Sequence, residues 1–305
     1  MLLYDLKTAK VEVRSYGSSK NNDKQTNKFI SDLVRLKRLG AVGVKQSFED
    51  EGASREDIRK MRAMTSAANL DLNVKVGGCE ARNDISFCKK IGVNGIVAPM
   101  VESKYALKKF IQTVTDYEIL VTDKKIKKRV IEKKKNSLYI NLETNLSFSN
   151  INEIMNSSNF KLLDGVVIGR SDLVGSFGLT KDHVDSELAY KKIFHLLKKI
   201  KKKKKKNFIC KMGGSITTNS EKFINKLFKK KLLDRIETRN MEILLNRKNI
   251  ENFKTILMNA FNFELEWAKY KLKDSILNKS KLMVKENSSR IEILRKRIGI
   301  MKKTK

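Results

Sequence analysis

Short apolar runs, separated by helix-like stretches, constrain this chain more than any other feature. Seven follow one another: Ala41–Phe48 (AVGVKQSF), Leu72–Val76 (LNVKV), Gly95–Met100 (GIVAPM), Leu138–Leu142 (LYINL), Gly165–Gly169 (GVVIG), Phe208–Met212 (FICKM) and Leu233–Thr238 (LDRIET). Each is rich in Val and Ile or bounded by Gly and polar residues, as buried parallel strands are. The segments between them read as helices. Ser54-Arg55-Glu56-Asp57 has the pattern of a capping box and precedes IRKMRAMTSAANL, with apolar residues at helical spacing. Glu80–Ile91, Lys104–Val114, Ile151–Met155, Ser186–Leu197 and Ser220–Leu232 follow their strands in the same way. This alternation predicts an α/β fold with a parallel sheet. Seven or eight such units favour a closed (β/α)8 TIM barrel over an open sheet. No eighth strand is evident, and the alternating Lys10–Tyr16 (KVEVRSY) is the candidate. The barrel is assigned to residues 1–245. Residues 246–305 form a C-terminal helical extension and basic tail, containing the amphipathic Phe253–Lys273 and a second helical pattern, RIEILRKR.

Composition matters because the formal net charge is +32 over 305 residues. Three segments carry most of it: 124–135 at +7, 198–206 at +8 and 278–305 at +8. Such a charge raises the alternative of a basic nucleic-acid-binding protein. The excess is mostly Lys, and a groove that tracks phosphates interleaves Arg and aromatics with its lysines. Solvated helix faces and loops are therefore the reading, with no specific nucleic-acid partner expected. No run of about 18 apolar residues is present, so no membrane span is expected. The N-terminus lacks the basic and apolar regions of a secretory signal. Cys79, Cys88 and Cys210 form no CxxC pair, which fits a reducing, cytoplasmic setting.

In a barrel of this kind the chemistry sits at the C-terminal ends of the strands. The residues at and just after the ends of the seven runs include Glu49-Asp50-Glu51, Lys75, Gly77-Gly78-Cys79, Glu143, Gly169-Arg170-Ser171-Asp172, Lys211, Gly213-Gly214 and Glu237-Thr238-Arg239. Acids gather there, with Lys75, Arg170, Lys211 and Arg239 as partners. Glu143 and Asp172 end consecutive strands, and neighbouring carboxylates repel unless a positive charge lies between them. A hard dication such as Mg²⁺ suits that pair, because it takes oxygen ligands and keeps positions open. Ion pairing with Arg170 or another base is the alternative. Lys75 suits a substrate carboxylate or a rim salt bridge. The Gly pairs offer backbone amides to an anion or simply make turns. His183 and His195 fall in or near a helix remote from the strand ends and read as structural or surface residues. Cys79 has no histidine partner after any strand, which argues against a cysteine nucleophile. Proton transfer is left to carboxylates, lysine or bound water.

The strings GVKQSFEDEGAS, KVGGCEARNDI, GVNGIVAPMVES, INLETNLSF, LDGVVIGRSDLVGSFGL and LLDRIETR occur in this order over roughly residues 40–240. Together they resemble the aldolase/citrate lyase beta-subunit family of the phosphoenolpyruvate/pyruvate barrel superfamily. The resemblance implies a (β/α)8 barrel, a divalent metal such as Mg²⁺, and homo-oligomers in which C-terminal helices mediate contacts. It also implies metal-dependent carbon–carbon lyase or aldolase chemistry on a 2-oxo acid or related small carboxylate, through an enolate. By motif, Glu143 and Asp172 match the family's metal-binding carboxylates. Lys75 falls where many members hold the substrate carboxylate with arginine. Gly169, Arg170 and Ser171 line the same substrate position, with Arg170 replacing a small residue. In the aldolase branch a histidine follows the first strand. Here Ser47-Phe48-Glu49-Asp50-Glu51 stands there, so Glu49 or Glu51 is the candidate proton carrier. The missing histidine also motivates an alternative, a noncatalytic or repurposed barrel subunit that binds an acidic small molecule.

Overall fold

All seven apolar runs become strands of one closed barrel, with boundaries within about two residues of those read from the sequence. The computed structural model describes residues 20–121, 136–203, 207–278 and 280–303. In chain order the elements are α1 (Lys20–Arg38), β1 (Ala41–Ser47), α2 (Arg55–Ala68), β2 (Asp71–Lys75), α3 (Arg82–Ile91), β3 (Gly95–Ala98), α4 (Lys104–Val121) and β4 (Ser137–Leu142). Then come α5 (Asn145–Ser149), α6 (Ile151–Asn156), β5 (Gly165–Gly169), α7 (Arg170–Gly175), α8 (Glu187–Lys203), β6 (Ile209–Gly213), α9 (Glu221–Lys229) and β7 (Arg235–Glu237). The last are β8 (Met241–Leu244), α10 (Arg247–Glu251), α11 (Phe253–Leu277) and α12 (Lys281–Lys303). The strands pair in sequence order and close between β8 and β1. The fold is therefore an eight-stranded (β/α)8-type barrel with C-terminal helices.

One strand departs from the expected pattern. β8 runs antiparallel to both β7 and β1. Only residues 238–240 separate β7 from β8, whereas a parallel crossover takes a dozen residues or more. A hairpin is the only connection that length allows. Met241–Leu244 had no place among the seven runs, because it merges with the seventh at so short a distance. The candidate Lys10–Tyr16 lies outside the described residues.

Local rules account for the helices. The Ser54 hydroxyl accepts from the Asp57 amide at 3.0 Å, and the Asp57 carboxylate accepts from the Ser54 amide at 2.9 Å. This capping box satisfies two of the amides a helix start leaves open. The apolar faces of the helices close over the outside of the barrel, where Val44, Leu72, Val74, Ile96, Ile140, Ile168 and Met212 are fully buried. The C-terminal helices join the same core. Phe29 on α1 packs edge-on against Phe263 and Trp267 of α11, with ring centroids 5.9 and 5.5 Å apart. α11 and α12 form an antiparallel pair, and α12 buries Ile291, Leu294, Ile298 and Met301.

The interior of the barrel is unusual. Barrel interiors are dominated by branched apolar side chains. Here only Val97, Tyr139, Val167 and Ile209 form an apolar patch inside. Beside them lie Asn73, Lys211 and Glu242, all buried. The described part of the 198–206 lysine run lies at the end of α8, where Lys201 pairs with Asp234 just before β7. That is the N-terminal end of the barrel, opposite the mouth. Lysines there also complement the negative end of the helix dipole. Segment 124–135 lies outside the described residues.

Candidate active site

β4 and β5 set the acidic side of the mouth. Alternation along β4 puts Tyr139, Asn141 and then Glu143 on the inner face. Glu143 is almost wholly buried. The Met100 amide donates to its Oε1 at 3.1 Å, and Asn141 Nδ2 donates to its Oε2 at 2.9 Å. Burial pushes the Glu143 carboxyl above its usual range; Lys75 opposes that, and the charge of Asp172 adds to it. Asp172 is exposed in the first turn of α7. Glu143 and Asp172 are thus close enough to repel. Each Glu143 oxygen has a single hydrogen bond, which leaves lone pairs for a ligand. This donor set fits a hard divalent cation bound by two carboxylates. Among the described residues no three His, Cys, Asp or Glu side chains form a metal cluster. An ion held here would therefore take its remaining ligands from water or substrate.

Two glycines make the room. A Cβ on Gly169 would collide with Oε2 of Glu143. Gly169→Ala is therefore expected to displace that carboxylate and weaken Mg²⁺ binding by about 10–100-fold, the loss typical of disturbed groups around a metal. Isothermal titration with Mg²⁺ checks this. Gly214 has φ +85°, and a Cβ there would lie 2.6 Å from the Ser171 amide nitrogen and 2.7 Å from that of Arg170. The β6 loop thus presses on the start of α7, and Ser171 Oγ meets Ser215 Oγ at 3.1 Å. Those two amides pack against the β6 loop, and Ser171 offers its hydroxyl.

The structure puts Arg170 inside the wall, not in the mouth. It is completely buried. Its guanidinium donates to the carbonyls of Gly213 and Gly214, to Ser220 Oγ and to Asp185, and it stacks over Phe223. A buried cation with every arm engaged holds loops together. Arg170→Lys is expected to lower the melting temperature, because an ammonium cannot reproduce the planar fork. The cost is roughly 3–5 kcal/mol if the pair with Asp185 is broken, measured by denaturant unfolding. Lys211 likewise is not a mouth residue. Its Nζ lies deeper, 2.8 Å from Glu242 Oε2 and 3.6 Å from the Tyr139 ring centroid.

β1 and β2 supply the basic side. Lys75 Nζ is 3.2 Å from Asp50 Oδ1. Lys45, inside β1, reaches Glu237 at 3.6 Å. Burial works against the Lys45 charge, but Glu237, Asp50 and Glu51 more than offset it and raise its pKa. Lys45 lies in the middle of β1, away from the strand end where the sequence points to chemistry. The signal was there: β1 alternates, and Lys45 shares a face with Ser47. Asp50 feels the same field. Burial pushes its carboxyl up, yet Lys45 and Lys75 hold it far below the usual range.

The two proton-carrier candidates separate. Glu49 is exposed at the rim, with Oε1 2.9 Å from where a Cβ on Gly77 would sit. Glu51 is buried and faces the C-terminal helices. Its Oε2 accepts from Asn240 Nδ2 at 2.9 Å, and Arg239 Nε lies 3.9 Å from its Oε1. His183 and His195 are both exposed and far along the chain from the strand ends. The Cys79 thiol is pushed up to about 11 by burial, which makes it a poor nucleophile at neutral pH.

A closed, mainly parallel barrel with carboxylates and lysines at its C-terminal mouth defines a (β/α)8 enzyme class. The comparisons narrow this. The HpcH/HpaI aldolase/citrate lyase family model matches residues 45–220, more than half of the chain, and the protein belongs to that family. Its members are aldolase- and citrate-lyase-type enzymes. Solved structures share the fold. An aldolase/citrate lyase family protein from Burkholderia cenocepacia J2315 is 12% identical, with a TM-score of 0.52 over 68% of this chain and 82% of that one. The HpcH/HpaI aldolase from Desulfitobacterium hafniense DCB-2 is 13% identical, with a TM-score of 0.53 over 69% and 82%. Citrate synthase SbnG is 14% identical, with a TM-score of 0.54 over 77% and 89%. No sequence among curated proteins matches this chain. Among the described residues no helix is long and apolar enough to cross a membrane.

Proposed function

We propose that this protein makes or breaks a carbon–carbon bond in a 2-oxo acid or related small carboxylate, through an enolate, with a divalent ion such as Mg²⁺. The observation that carries the proposal is the desolvated Glu143 carboxylate beside Asp172, with Gly169 leaving the space next to it open. Glu143 and Asp172 would hold the ion. When bound, it supplies a fixed positive charge for the oxygen on which negative charge develops.

The chain's own residues do the rest. Asn141 and the Met100 amide fix Glu143 in one orientation. Lys75 and Lys45 place two ammonium groups across the mouth from Glu143, where they attract and orient a substrate carboxylate. Lys75 must exchange Asp50 for that carboxylate. Ser171, next to Asp172 at the start of α7, carries a hydroxyl that meets Ser215 Oγ. Asp50 is held so firmly ionised that it is a very weak base. Glu51 is turned to the C-terminal helices. Glu49, exposed beside Gly77, is the acidic residue placed to carry a proton at the rim.

A crystal soaked with Mg²⁺ and oxalate tests the reading. Density joining Glu143, Asp172 and the ligand is expected. Oxalate bound elsewhere, or Mg²⁺ absent from these carboxylates, would remove it.

A further inference from the structure

A small cavity lies between the mouth loop, the β7–β8 loop and the C-terminal helices, away from the proposed metal site. Glu51, Arg239, Asn240, Glu264, Trp267 and Asn287 are among the residues that line it. Five polar atoms on its walls lack a hydrogen-bond partner: Arg239 Nε, Trp267 Nε1, Glu51 Oε1, Glu264 Oε2 and Asn287 Oδ1. More than half of the unpartnered buried side-chain atoms among the described residues thus fall at one place. Buried polar atoms are nearly always hydrogen-bonded, so such a gathering calls for a partner.

The chemistry of the five atoms selects the occupant. Two are N–H donors, from Arg239 and Trp267, and three are oxygens. A water accepts two hydrogen bonds and donates two. The cavity measures about 20 Å³, and a single water needs about 10–15 Å³ by the same measure. Arg239 Nε and Glu51 Oε1 are 3.9 Å apart, too far for a direct bond. Two arms of about 2.8 Å meeting at a right angle on one water span about 4 Å.

The surroundings give this occupant a role. Lys271 Nζ donates to the Glu51 carbonyl at 2.9 Å, and Arg290 Nη1 donates to the same carbonyl at 3.0 Å. Arg239 and Arg290 both reach the Asp50 carbonyl. Glu264 accepts from Thr238 Oγ1 at 2.6 Å and from the Asn240 amide at 2.8 Å. Side chains of α11 and α12 thus grip the backbone of both mouth loops. We propose that the cavity holds one ordered water bridging four of the five atoms, those of Arg239, Trp267, Glu51 and Glu264. Through this water, Lys271 and Arg290, the C-terminal helices position the loop that presents Asp50 to Lys75. Lys271 and Arg290 are positioning residues in this scheme, and neither touches substrate.

Two measurements test it, and neither depends on the proposed reaction. A high-resolution crystal of the full chain, grown in sodium bromide, should show one peak without anomalous signal bonded to Arg239 Nε, Trp267 Nε1 and the two carboxylates. A bromide signal there, or an empty cavity, overturns the water assignment. In Lys271→Met, hydrogen exchange at the Gly52 and Ala53 amides, which close the loop onto Glu49 and Ser47, should speed up about tenfold or more, matching one lost charge-assisted bond. Lys271→Arg should restore protection. Unchanged exchange in both Lys271→Met and Arg290→Met overturns the positioning role.

Discussion

Asp172→Ala is expected to lower Mg²⁺-dependent exchange of the pyruvate methyl protons with solvent by at least about 100-fold, since even outer groups around a metal cost 10–100-fold when removed. The physical reason is the inequality of the two carboxylates. Glu143 is desolvated and fixed by Met100 and Asn141. Asp172 is exposed, and it supplies the second negative charge. Without it a single carboxylate would face the strongly hydrated dication of the proposed function, which dehydrates reluctantly. Burial is what chiefly raises the Glu143 pKa, and removing the Asp172 charge relieves the repulsion that adds to it. The variant should therefore fold at least as well as the parent while losing turnover. Proton NMR of pyruvate in D₂O reads the exchange, and calorimetry reads Mg²⁺ affinity. Full exchange activity in Asp172→Ala would sink the metal assignment.

Lys211→Met should destabilise the protein by roughly 3–5 kcal/mol, the cost of breaking a buried ion pair from one side. Glu242 is fully buried, with Lys211 at 2.8 Å, Arg235 at 2.6 Å and Asn73 Nδ2 at 2.6 Å. Lys211 also lies 3.9 Å from Glu237, which Lys45 reaches from the other side. Charges alternate through the barrel, so removing one cation leaves two carboxylates undercompensated. The double variant Lys211→Met/Glu242→Gln should recover part of the loss, because the anion goes with the cation. A pH series separates charge from packing. Burial would raise the Glu242 pKa, but Lys211 and Arg235 outweigh it and hold it below its usual 4.5. A depressed carboxyl pKa contributes stability above the unfolded value, and that contribution is lost as pH falls through the folded value. The stability gap between the parent and Glu242→Gln should thus be largest near neutral pH and shrink in acid below 4.5. A gap that stays constant into acid would show that folding does not lower the Glu242 pKa.

The placement of residues around the candidate mouth was legible because barrel topology converts sequence position into spatial position. Glu143 and Asp172 follow adjacent strands, so they meet whatever the loops do. Lys45 was not legible in the same way, since it lies within β1 and reaches the mouth only through its long side chain. Arg170 and Glu51 show the reverse. Both follow strands, yet Arg170 is drawn inward by Asp185, Ser220 and the Gly213-Gly214 carbonyls. The Glu51 side chain is turned toward Asn240, 189 positions away. No local pattern reports such partners. The same holds for the basic tail. Its charge looked like a solvated surface, but Arg290 reaches the Asp50 and Glu51 carbonyls and is largely buried.

Short-range physics explains the division. Apolar spacing, Gly positions and the Ser54–Asp57 cap act over a few residues, so the sequence by itself determined the seven parallel strands, their helices and the acids at their ends. Closure of the barrel by an antiparallel β8 rested on a three-residue link and on a free edge at β1. The charged interior, the burial of Arg170 and the grip of α11 and α12 on the mouth loop depend on groups brought together from distant segments in low dielectric. Only the tertiary structure decides which buried charge finds which partner, because that energy exists only after the chain has excluded water.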